Sequence, residues 1–419
     1  MQRLFSSFYY FKSLSVYFIF LLLIPFLPSF NSIDPIGAQW LYLALINFVF
    51  IFFIKNVNIN SFSLPFKIYL LFFLFSLFSL FYSNNISLSI IDLSRILLII
   101  VSVIIITSLY TSKKKGVNTT ILYYLFILFF FAELFYSLWP YFYSVFLRLF
   151  TDYTLTITTT ELLGIAGNKN ITAASIVIKL PFVFYFLLKK KSYIISSLIL
   201  YLVFTSLFLL ISRASYISMF FIMMLYSILM MVNKSGKSLF VTYFSILVAY
   251  LTIVFYPANI NNFLNQVKTI SFTQESSNWR FELWSNVLDY LSNNPLKGVG
   301  IGNWKIESLP YWKYNLDGYL VPYHAHNDFL QYSVELGIIG GLVFLSFFIL
   351  SFIFLIKRIN FKMFLNQKNL IYFTFLLVLF SLLVDTSLNF PHERFLIQFN
   401  TILFLIFTNI ISFNESKID

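Results

Sequence analysis

Long apolar runs divide this chain, and they limit its fold more than any other feature of the sequence. Hydrophobic residues make up 59% of the 419 positions and charged residues only 11%, whereas soluble domains carry roughly 25% charged residues. Runs of ~20 apolar residues match the length of a transmembrane helix, while a β-barrel would show short alternating segments. The sequence therefore predicts an all-α polytopic membrane protein.

Twelve membrane spans account for the apolar runs. We place them at 14–31, 37–54, 65–83, 87–108, 119–138, 169–188, 193–211, 214–232, 238–256, 330–356, 369–390 and 394–413. Most basic residues, including Lys113–Lys115, then fall on the side that holds both termini, which the positive-inside rule identifies as cytoplasmic. The predicted order is spans one to nine within 1–256, an external loop at 257–329, and spans ten to twelve within 330–419.

The positive-inside rule also explains the formal net charge of +12 at pH 7, because basic residues gather on the cytoplasmic loops of membrane proteins. A lipid bilayer is therefore the expected environment, and no nucleic-acid partner is expected. The lack of cysteine excludes disulfides, zinc thiolates and thiol catalysis.

The external loop at 257–329 is too long to be structureless, so it predicts a small folded cap. A helix is predicted near 279–292. Its apolar face is formed by Phe281, Trp284, Leu288 and Leu291. The alternating glycines at 298, 300 and 302 that follow predict a tight turn with a close backbone approach. A nucleotide site is rejected because no strand–helix context surrounds them.

Two of the three histidines lie in the stretch His324–Gly341, which reads HAHNDFLQYSVELGIIGG. His326 is a candidate general base, and the alternative is a histidine that caps a helix or bonds a carbonyl group. His324, Asn327 and Asp328 are predicted to support it. Two imidazoles at positions i and i+2 fit one metal ion poorly, and no further histidine or cysteine is close in the sequence, so no metal is expected.

Three glycines follow where this stretch should enter the membrane. Gly337 and Gly341 have G-x-x-x-G spacing, with Gly340 between them. Small residues at this spacing allow helices to pack closely in a membrane. We expect this packing to hold His326 in place.

Three basic residues on the external side are candidates for binding a phosphate group. Arg280 begins the loop helix, where a guanidinium and a helix N-terminus both favour anions; a solvated loop arginine is the alternative. Arg213 lies at the outer end of a span, where snorkelling is the alternative. Lys169 lies in the segment GNKN, and the alternative is an ordinary helix start.

Ionisable residues also occur inside the predicted spans. Lys179 has two candidate partners, Glu133 and Asp385, between which the sequence does not choose. Asp92 and Arg95 are three residues apart in span four and predict a structural ion pair.

The histidine stretch resembles a known signature. His326-Asn327, then nine residues, then Gly337-Ile338-Ile339-Gly340 resembles the pattern H-[N/S/Q]-x9-G-x-x-G of the O-antigen ligase family. The large periplasmic loop of that family resembles the pattern Arg280…Trp284…Pro295…Gly298-x-Gly300-x-Gly302. Twelve spans with this loop between spans nine and ten are similar to the family's layout. One departure is Gly341-Leu342, where ligases often have threonines, and this weakens ligase relative to polymerase.

The resemblance implies a metal-independent glycosyltransferase of the GT-C type in a bacterial inner membrane, with its active site on the periplasmic face and no cofactor. The donor would be a glycan on undecaprenyl diphosphate. The acceptor would be a hydroxyl group, on a lipid A–core sugar for a ligase. His326 would take the proton of that hydroxyl, and Arg213, Arg280 and Lys169 would bind the diphosphate.

Other functions share part of this pattern. An O-antigen polymerase and a protein O-oligosaccharyltransferase would use the same donor with another acceptor, which the sequence does not identify. A flippase for lipid-linked glycans belongs to a different class. It predicts charges spread through many spans, whereas the polar residues here gather on one face.

Overall fold

The computed structural model describes residues 2–28, 35–54, 56–112, 119–150, 162–255, 275–312, 322–360 and 365–416. All regular secondary structure in these ranges is helical. Ten of the described helices are long and apolar enough to cross a membrane, and two shorter apolar helices cover Ser13–Phe26 and Ile36–Ile51. The prediction of an all-α polytopic membrane protein is confirmed. The predicted boundary at 256/257 and the basic cluster Lys113–Lys115 lie outside the described residues.

The α-helices are numbered here in chain order. They are α1 (Gln2–Leu23), α2 (Pro35–Ile51), α3 (Leu64–Phe78), α4 (Ile86–Thr111), α5 (Thr119–Phe150), α6 (Lys169–Lys190), α7 (Tyr193–Leu210), α8 (Arg213–Val232), α9 (Gly236–Phe255), α10 (Glu275–Asn293), α11 (Trp304–Glu307), α12 (Leu309–Trp312), α13 (Asp328–Ile356), α14 (Gln367–Leu388) and α15 (Phe395–Glu415).

Polar side chains start several of these helices. The Asn85 side chain accepts a hydrogen bond from the backbone N–H of Leu88 at the start of α4, and Asn168 accepts from Asn170 at the start of α6. Such caps satisfy N–H groups that have no partner inside a helix. Apolar length therefore sets the helices, and short polar residues between them set where they begin.

The chain divides into two compact units. The first unit comprises Met1–Thr119, Glu275–Phe354 and Thr386–Asp419, and the second comprises Thr120–Gln274 and Leu355–Asp385. In the first unit α15 packs against α4, and in the second α7 packs against α9 and α6. The predicted order of spans, loop and spans concerns topology relative to the membrane, and it stays a prediction.

The cap helix α10 begins four residues earlier than predicted, at Glu275, and buries a different face. The core of the cap is formed by Val287, Leu291, Val299, Trp304, Ala325 and Val334. Of the predicted apolar face only Leu291 belongs to this core, while Phe281 and Leu288 are 58% and 56% exposed. The predicted face was wrong because the side of α10 that carries Leu283 and Val287 packs inward instead.

The glycine-rich turn of the cap lies against α13. The N–H groups of Val299 and Gly300 donate hydrogen bonds to the carbonyl oxygens of Val334 and Glu335, at 3.0 and 2.9 Å. A Cβ atom added to Gly298 would lie 2.2 Å from the carbonyl oxygen of Glu335. The predicted close backbone approach is therefore confirmed, and only glycine fits at position 298.

A second close approach breaks helix α13. Gly337 has non-helical angles, φ 77° and ψ 166°, and a Cβ added there would lie 2.2 Å from the carbonyl oxygen of Leu296. The next residue, Ile338, donates its N–H to Pro295 over 2.9 Å. Gly337 is thus the point at which the cap backbone docks onto α13.

The other two glycines of the predicted packing motif have different surroundings. A Cβ added to Gly340 would meet the side chain of Leu336, and one added to Gly341 would meet Ser333. Both neighbours lie before the break at Gly337, so α13 folds back there and these glycines let its two parts pack closely against each other. Packing of the glycines against another membrane helix stays a prediction.

Candidate active site

The loop between the cap and α13 is held through the peptide groups of Ala325. Its N–H donates to Oε1 of Gln331 over 2.8 Å, and its carbonyl accepts from Nε1 of Trp284 over 3.0 Å. Gln331 is fully buried and donates in turn to Glu335 over 2.8 Å. Because both sides of Ala325 are fixed, the histidines before and after it point in defined directions.

Asn327 begins helix α13. Its side-chain oxygen accepts from the N–H of Leu330 over 3.1 Å, and its carbonyl accepts from Gln331. Asn327 therefore acts as a helix cap, which fixes the backbone directly after His326.

His326 has an unusual backbone and a half-buried side chain. Its φ angle is 52°, in the left-handed region that few residues other than glycine adopt. Its ring meets Phe390 edge-on at 4.8 Å and Trp279 at 5.9 Å between centroids. Burial, followed by the charge of Arg280, lowers the pKa of His326 to about 4. The imidazole is therefore neutral near pH 7 and can accept a proton.

Two guanidinium groups act on this imidazole. Arg280 comes from α10 and donates from Nη2 to Asn389 over 3.5 Å. Arg394 lies at the start of α15, with its guanidinium carbon 4.7 Å from the centre of the Phe390 ring. Their charges both oppose protonation of His326. The first unit thus brings together the predicted base and one of the predicted phosphate ligands, and it adds a cation that the sequence did not suggest.

His324 lies behind His326. Its ring stacks on Phe390 with 4.2 Å between centroids, and its Nε2 lies 3.3 Å from Oε2 of Glu393. Burial lowers the pKa of His324 and outweighs the opposite effect of Glu393. A neutral His324 therefore donates a hydrogen bond to Glu393, which agrees with a supporting role.

Asp328 holds the third histidine, His392, with both carboxylate oxygens. Oδ1 lies 2.8 Å from the ring Nδ1 and Oδ2 accepts the backbone N–H of His392 over 3.2 Å. Burial alone would lower the pKa of His392, but the Asp328 carboxylate raises it to about 9. His392 is therefore a buried imidazolium paired with a carboxylate that is only 1% exposed.

The carboxylate of Glu393 binds three side chains. It accepts from Arg95 over 2.9 Å, from Lys305 of the cap and from His324. Arg95 also donates to Asp92 over 2.6 Å, so the predicted ion pair of α4 is confirmed and is part of a larger network. Although burial raises the pKa of Glu393, its hydrogen bond with His324 and the nearby positive charges lower it overall.

The segment Phe390–Arg394 was not predicted from the sequence to be part of the site, although it contacts His324, His326 and Asp328. One signal was present: three consecutive ionisable residues between the last two apolar runs. The sequence does not link these residues to the histidine loop, because the contacting residues are 64 or more positions apart along the chain.

No metal was expected because no further histidine or cysteine lies close to His324 and His326 in the sequence, and the structure corrects this reason. His392 is a further histidine near the site. Donor atoms of His324, His392 and Glu393 lie within 4.8 Å of one another and form the only group of this kind among the described residues. Asp328 already binds His392 and Arg95 already binds Glu393, whereas Nδ1 of His324 is buried without a hydrogen-bond partner among the described residues. The absence of a metal stays a prediction.

Two predicted phosphate ligands belong to the second unit. Arg213 is the first residue of α8 and Lys169 is the first residue of α6, so both lie at helix N-termini, where anions are favoured. Their part in binding a diphosphate stays a prediction.

The second unit also contains a buried ion pair inside its membrane helices. Lys179 donates to Oε2 of Glu133 and to Ser175, and Ser175 donates to Oε1 of Glu133 over 2.6 Å. Of the two candidate partners of Lys179, the structure selects Glu133 over Asp385. All three side chains are at least 95% buried.

Part of the chain matches a known family. The family model described as O-antigen ligase matches residues 198–345, less than half of the chain. The matched range contains Arg213, Arg280 and His326. No curated protein matches the chain.

Proposed function

We propose that this chain, whose residues 198–345 match the O-antigen ligase family model, belongs to that family and is a membrane glycosyltransferase that acts on lipid-linked glycans. Its donor is a glycan on undecaprenyl diphosphate, and its acceptor is a hydroxyl group of a lipid A–core sugar. The enzyme lies in the bacterial inner membrane with both termini in the cytoplasm, and its site faces the periplasm. It uses neither a metal ion nor a cofactor.

The observation that carries this proposal is the neutral imidazole of His326 beside the Arg280 guanidinium. A base must be unprotonated to work, and the lowered pKa of His326, about 4, keeps it so at neutral pH. A departing diphosphate develops negative charge, which a nearby guanidinium stabilises. The closeness of His326 and Arg280 in the first unit therefore supports the proposed roles of base and diphosphate ligand.

The reaction proceeds as one displacement. His326 accepts the proton of the acceptor hydroxyl, whose oxygen forms a bond to the anomeric carbon of the donor glycan. The bond from that carbon to the diphosphate oxygen breaks, and its electron pair stays with undecaprenyl diphosphate. Arg280, together with Arg213 and Lys169, binds the diphosphate. His324, Asn327 and Asp328 position the base.

Transfer by the purified protein tests this function. The full chain is reconstituted with lipid-linked donor and lipid A–core, in EDTA and without an energy source. We expect the glycan to move to lipid A–core. His326→Ala should lower the rate about 10²- to 10⁴-fold, the usual contribution of a general base, and Arg280→Gln should weaken donor binding.

The acceptor panel separates the alternatives. Elongation of lipid-linked glycan in place of lipid A–core would identify a polymerase, and transfer to serine or threonine would identify a protein O-oligosaccharyltransferase. Movement of the donor across the bilayer without transfer would indicate a flippase and would contradict the proposal. Full activity of His326→Ala would remove the base assignment while leaving the transfer itself intact.

A further inference from the structure

The turn between α14 and α15 brings two guanidinium groups beside His326. Arg280 reaches this turn from α10 and donates to the side-chain oxygen of Asn389 over 3.5 Å. Phe390 follows directly, and the guanidinium carbon of Arg394 lies 4.7 Å from the centre of its ring. The imidazole of His326 meets the same ring edge-on, with 4.8 Å between the centroids. One aromatic side chain is therefore in contact with both the candidate base and a guanidinium group to which the proposed reaction gives no role.

The charges of both arginines act at the imidazole. Each of them lowers the pKa of His326, and Arg280 has the larger effect of the two. An anion bound near this point would therefore be attracted by two cations. A diphosphate has two phosphate groups, so each guanidinium can bind one of them.

The position of Arg394 over the Phe390 ring suits a phosphate ligand. Arginine packs on aromatic rings and still presents a planar fork of N–H donors. Phosphate oxygens match this fork and accept two parallel hydrogen bonds from it. The Arg394 side chain is only partly buried, so part of its surface is open to a ligand.

The backbone of Arg394 is fixed on both sides. Its N–H donates to the carbonyl oxygen of Pro391 over 2.9 Å, and its own carbonyl oxygen accepts from Gln398 over 2.9 Å. The Gln398 side chain also donates to Pro391, over 3.1 Å. The carbonyl oxygen of Glu393 accepts from the indole of Trp40 over 2.7 Å. Because this support is rigid, little conformational freedom is lost when the Arg394 side chain binds an anion.

The length of α15 places Arg394 at the edge of the membrane. The helix has 21 residues, Phe395–Glu415, and is apolar enough to cross a membrane. A helix of this length extends roughly 30 Å, which matches the ~30 Å thickness of the hydrocarbon core. Arg394 directly precedes the helix, so it lies at the boundary where lipids carry their phosphate groups. On the predicted topology this is the outer boundary.

We propose that Arg394 binds the donor phosphate that is attached to the undecaprenyl chain, while Arg280 binds the phosphate that is attached to the sugar. This assignment rests on the proposed function. The undecaprenyl chain lies in the membrane, so its phosphate is level with the start of α15. Arg280 belongs to the cap helix α10, and its charge acts more strongly on the base, next to which the bond to the sugar breaks.

The two arginines then contribute differently to the reaction. Negative charge develops on the sugar-side phosphate as its bond to the anomeric carbon breaks, so Arg280 acts on the transition state. The lipid-side phosphate keeps its charge before and after transfer. Arg394 therefore stabilises donor and transition state alike and contributes to donor affinity more than to kcat.

The binding of two lipids to the full chain in detergent tests this division without any transfer. Undecaprenyl phosphate keeps only the lipid-side phosphate, whereas undecaprenyl diphosphate carries both. By titration calorimetry, Arg394→Gln should weaken the binding of both lipids about 10-fold or more, the usual effect of losing hydrogen bonds to a charged group. Arg280→Gln should weaken binding of the diphosphate and leave the affinity for undecaprenyl phosphate within about twofold.

Two further variants complete the design. Lys297→Gln removes an exposed cation of the cap and should change neither affinity. Arg394→Lys keeps the charge without the planar fork, so it should recover part of the affinity for both lipids. It also carries the test if Arg394→Gln does not fold, because its affinity should still lie below that of the unmodified protein.

Three results would overturn the assignment. The first is an unchanged affinity of Arg394→Gln for undecaprenyl phosphate. The second is displacement of undecaprenyl phosphate by an equal concentration of phosphatidylglycerol, because Arg394 would then bind any lipid headgroup. The third is an equal loss in Arg394→Gln and Arg394→Lys together with a lowered Tm in both, which would indicate a structural role. Normal binding of both lipids without transfer by the unmodified protein would contradict the proposed function instead.

Discussion

His326 combines a left-handed backbone with a ring that is kept neutral. Backbone strain of this kind costs about 1–3 kcal/mol and persists only where the surroundings over-determine it. Here the surroundings are the two hydrogen bonds of Ala325 and the cap formed by Asn327. This backbone places the imidazole ring against Trp279 and Phe390.

The pH dependence of transfer should reflect this environment. The proposed base His326 must be unprotonated to accept a proton, so we expect activity to fall as the pH drops through its pKa of about 4. Arg280→Gln removes a positive charge that opposes protonation, so the pKa of His326 rises and the acid limb moves to higher pH. The measurement is kcat/KM for the acceptor between pH 3.5 and pH 8.

Lys297→Gln removes an exposed positive charge from the same cap and is the matched control. It should leave the acid limb in place. An acid limb near the ordinary histidine value of ~6.5 in the unmodified protein would contradict the lowered pKa of His326.

His392 should make the stability of the folded protein depend on pH in the neutral to alkaline range. Its pKa is raised to about 9 in the folded protein from ~6.5 when unfolded. The resulting stabilisation is fully present below pH ~6.5 and is lost as the pH rises through 9. Tm in detergent should therefore decline between pH 6.5 and pH 9.5, and His392→Gln should remove most of that decline. An unchanged slope in His392→Gln would assign it to other groups.

At the scale of elements, the sequence predicts what depends on length and local chemistry. The helices follow from apolar runs, and the cap follows from a loop too long to be irregular. The buried face of α10 could not be read from its own sequence, because Phe281 and Leu283 are both apolar and only the cap core decides between them. The same applies to Phe390–Arg394, whose roles arise from contacts with distant segments.

The break in α13 gives an element-scale prediction. Gly337→Ala places a Cβ against the Leu296 carbonyl at an angle pair that only glycine adopts readily. We expect a loss of about 3 kcal/mol or more and a displaced histidine loop with lower kcat. Thermal unfolding and the transfer assay measure the two effects.

Gly167→Ala is the comparison, because Gly167 also has a left-handed φ of 63° but nothing within 4 Å of an added Cβ. Its cost should be limited to about 1–2 kcal/mol of backbone strain. Equal losses in the two variants would mean that the contact with the cap adds nothing.

At the scale of the whole molecule, the ion pair of Lys179 and Glu133 tests how the second unit is held together. Lys179→Met leaves a buried carboxylate without its cation and should cost about 3–5 kcal/mol, whereas the double variant with Glu133→Leu should recover most of the loss. Hydrogen exchange should show weakened protection in α5 and α6. A double variant as unstable as Lys179→Met would argue against mutual compensation.

The sequence reveals the fold class more fully than it reveals the candidate site. Each membrane helix carries its own apolar signal, so the all-helical membrane fold is accessible without tertiary information. The site draws Arg95, Lys305, His324 and Glu393 together from places up to 298 residues apart. Of these only His324 was singled out for the site, because the others show their function only through their partners.

The wide spacing of that network has a consequence for synthesis. Lys305 and Glu393 are 88 residues apart, and at ~5–20 residues per second the ribosome needs roughly 4–18 s to pass from one to the other. Throughout that interval the newly made cap lacks the carboxylate that Lys305 and His324 bind. The histidine loop can therefore reach its final geometry only after the turn between α14 and α15 has emerged from the ribosome.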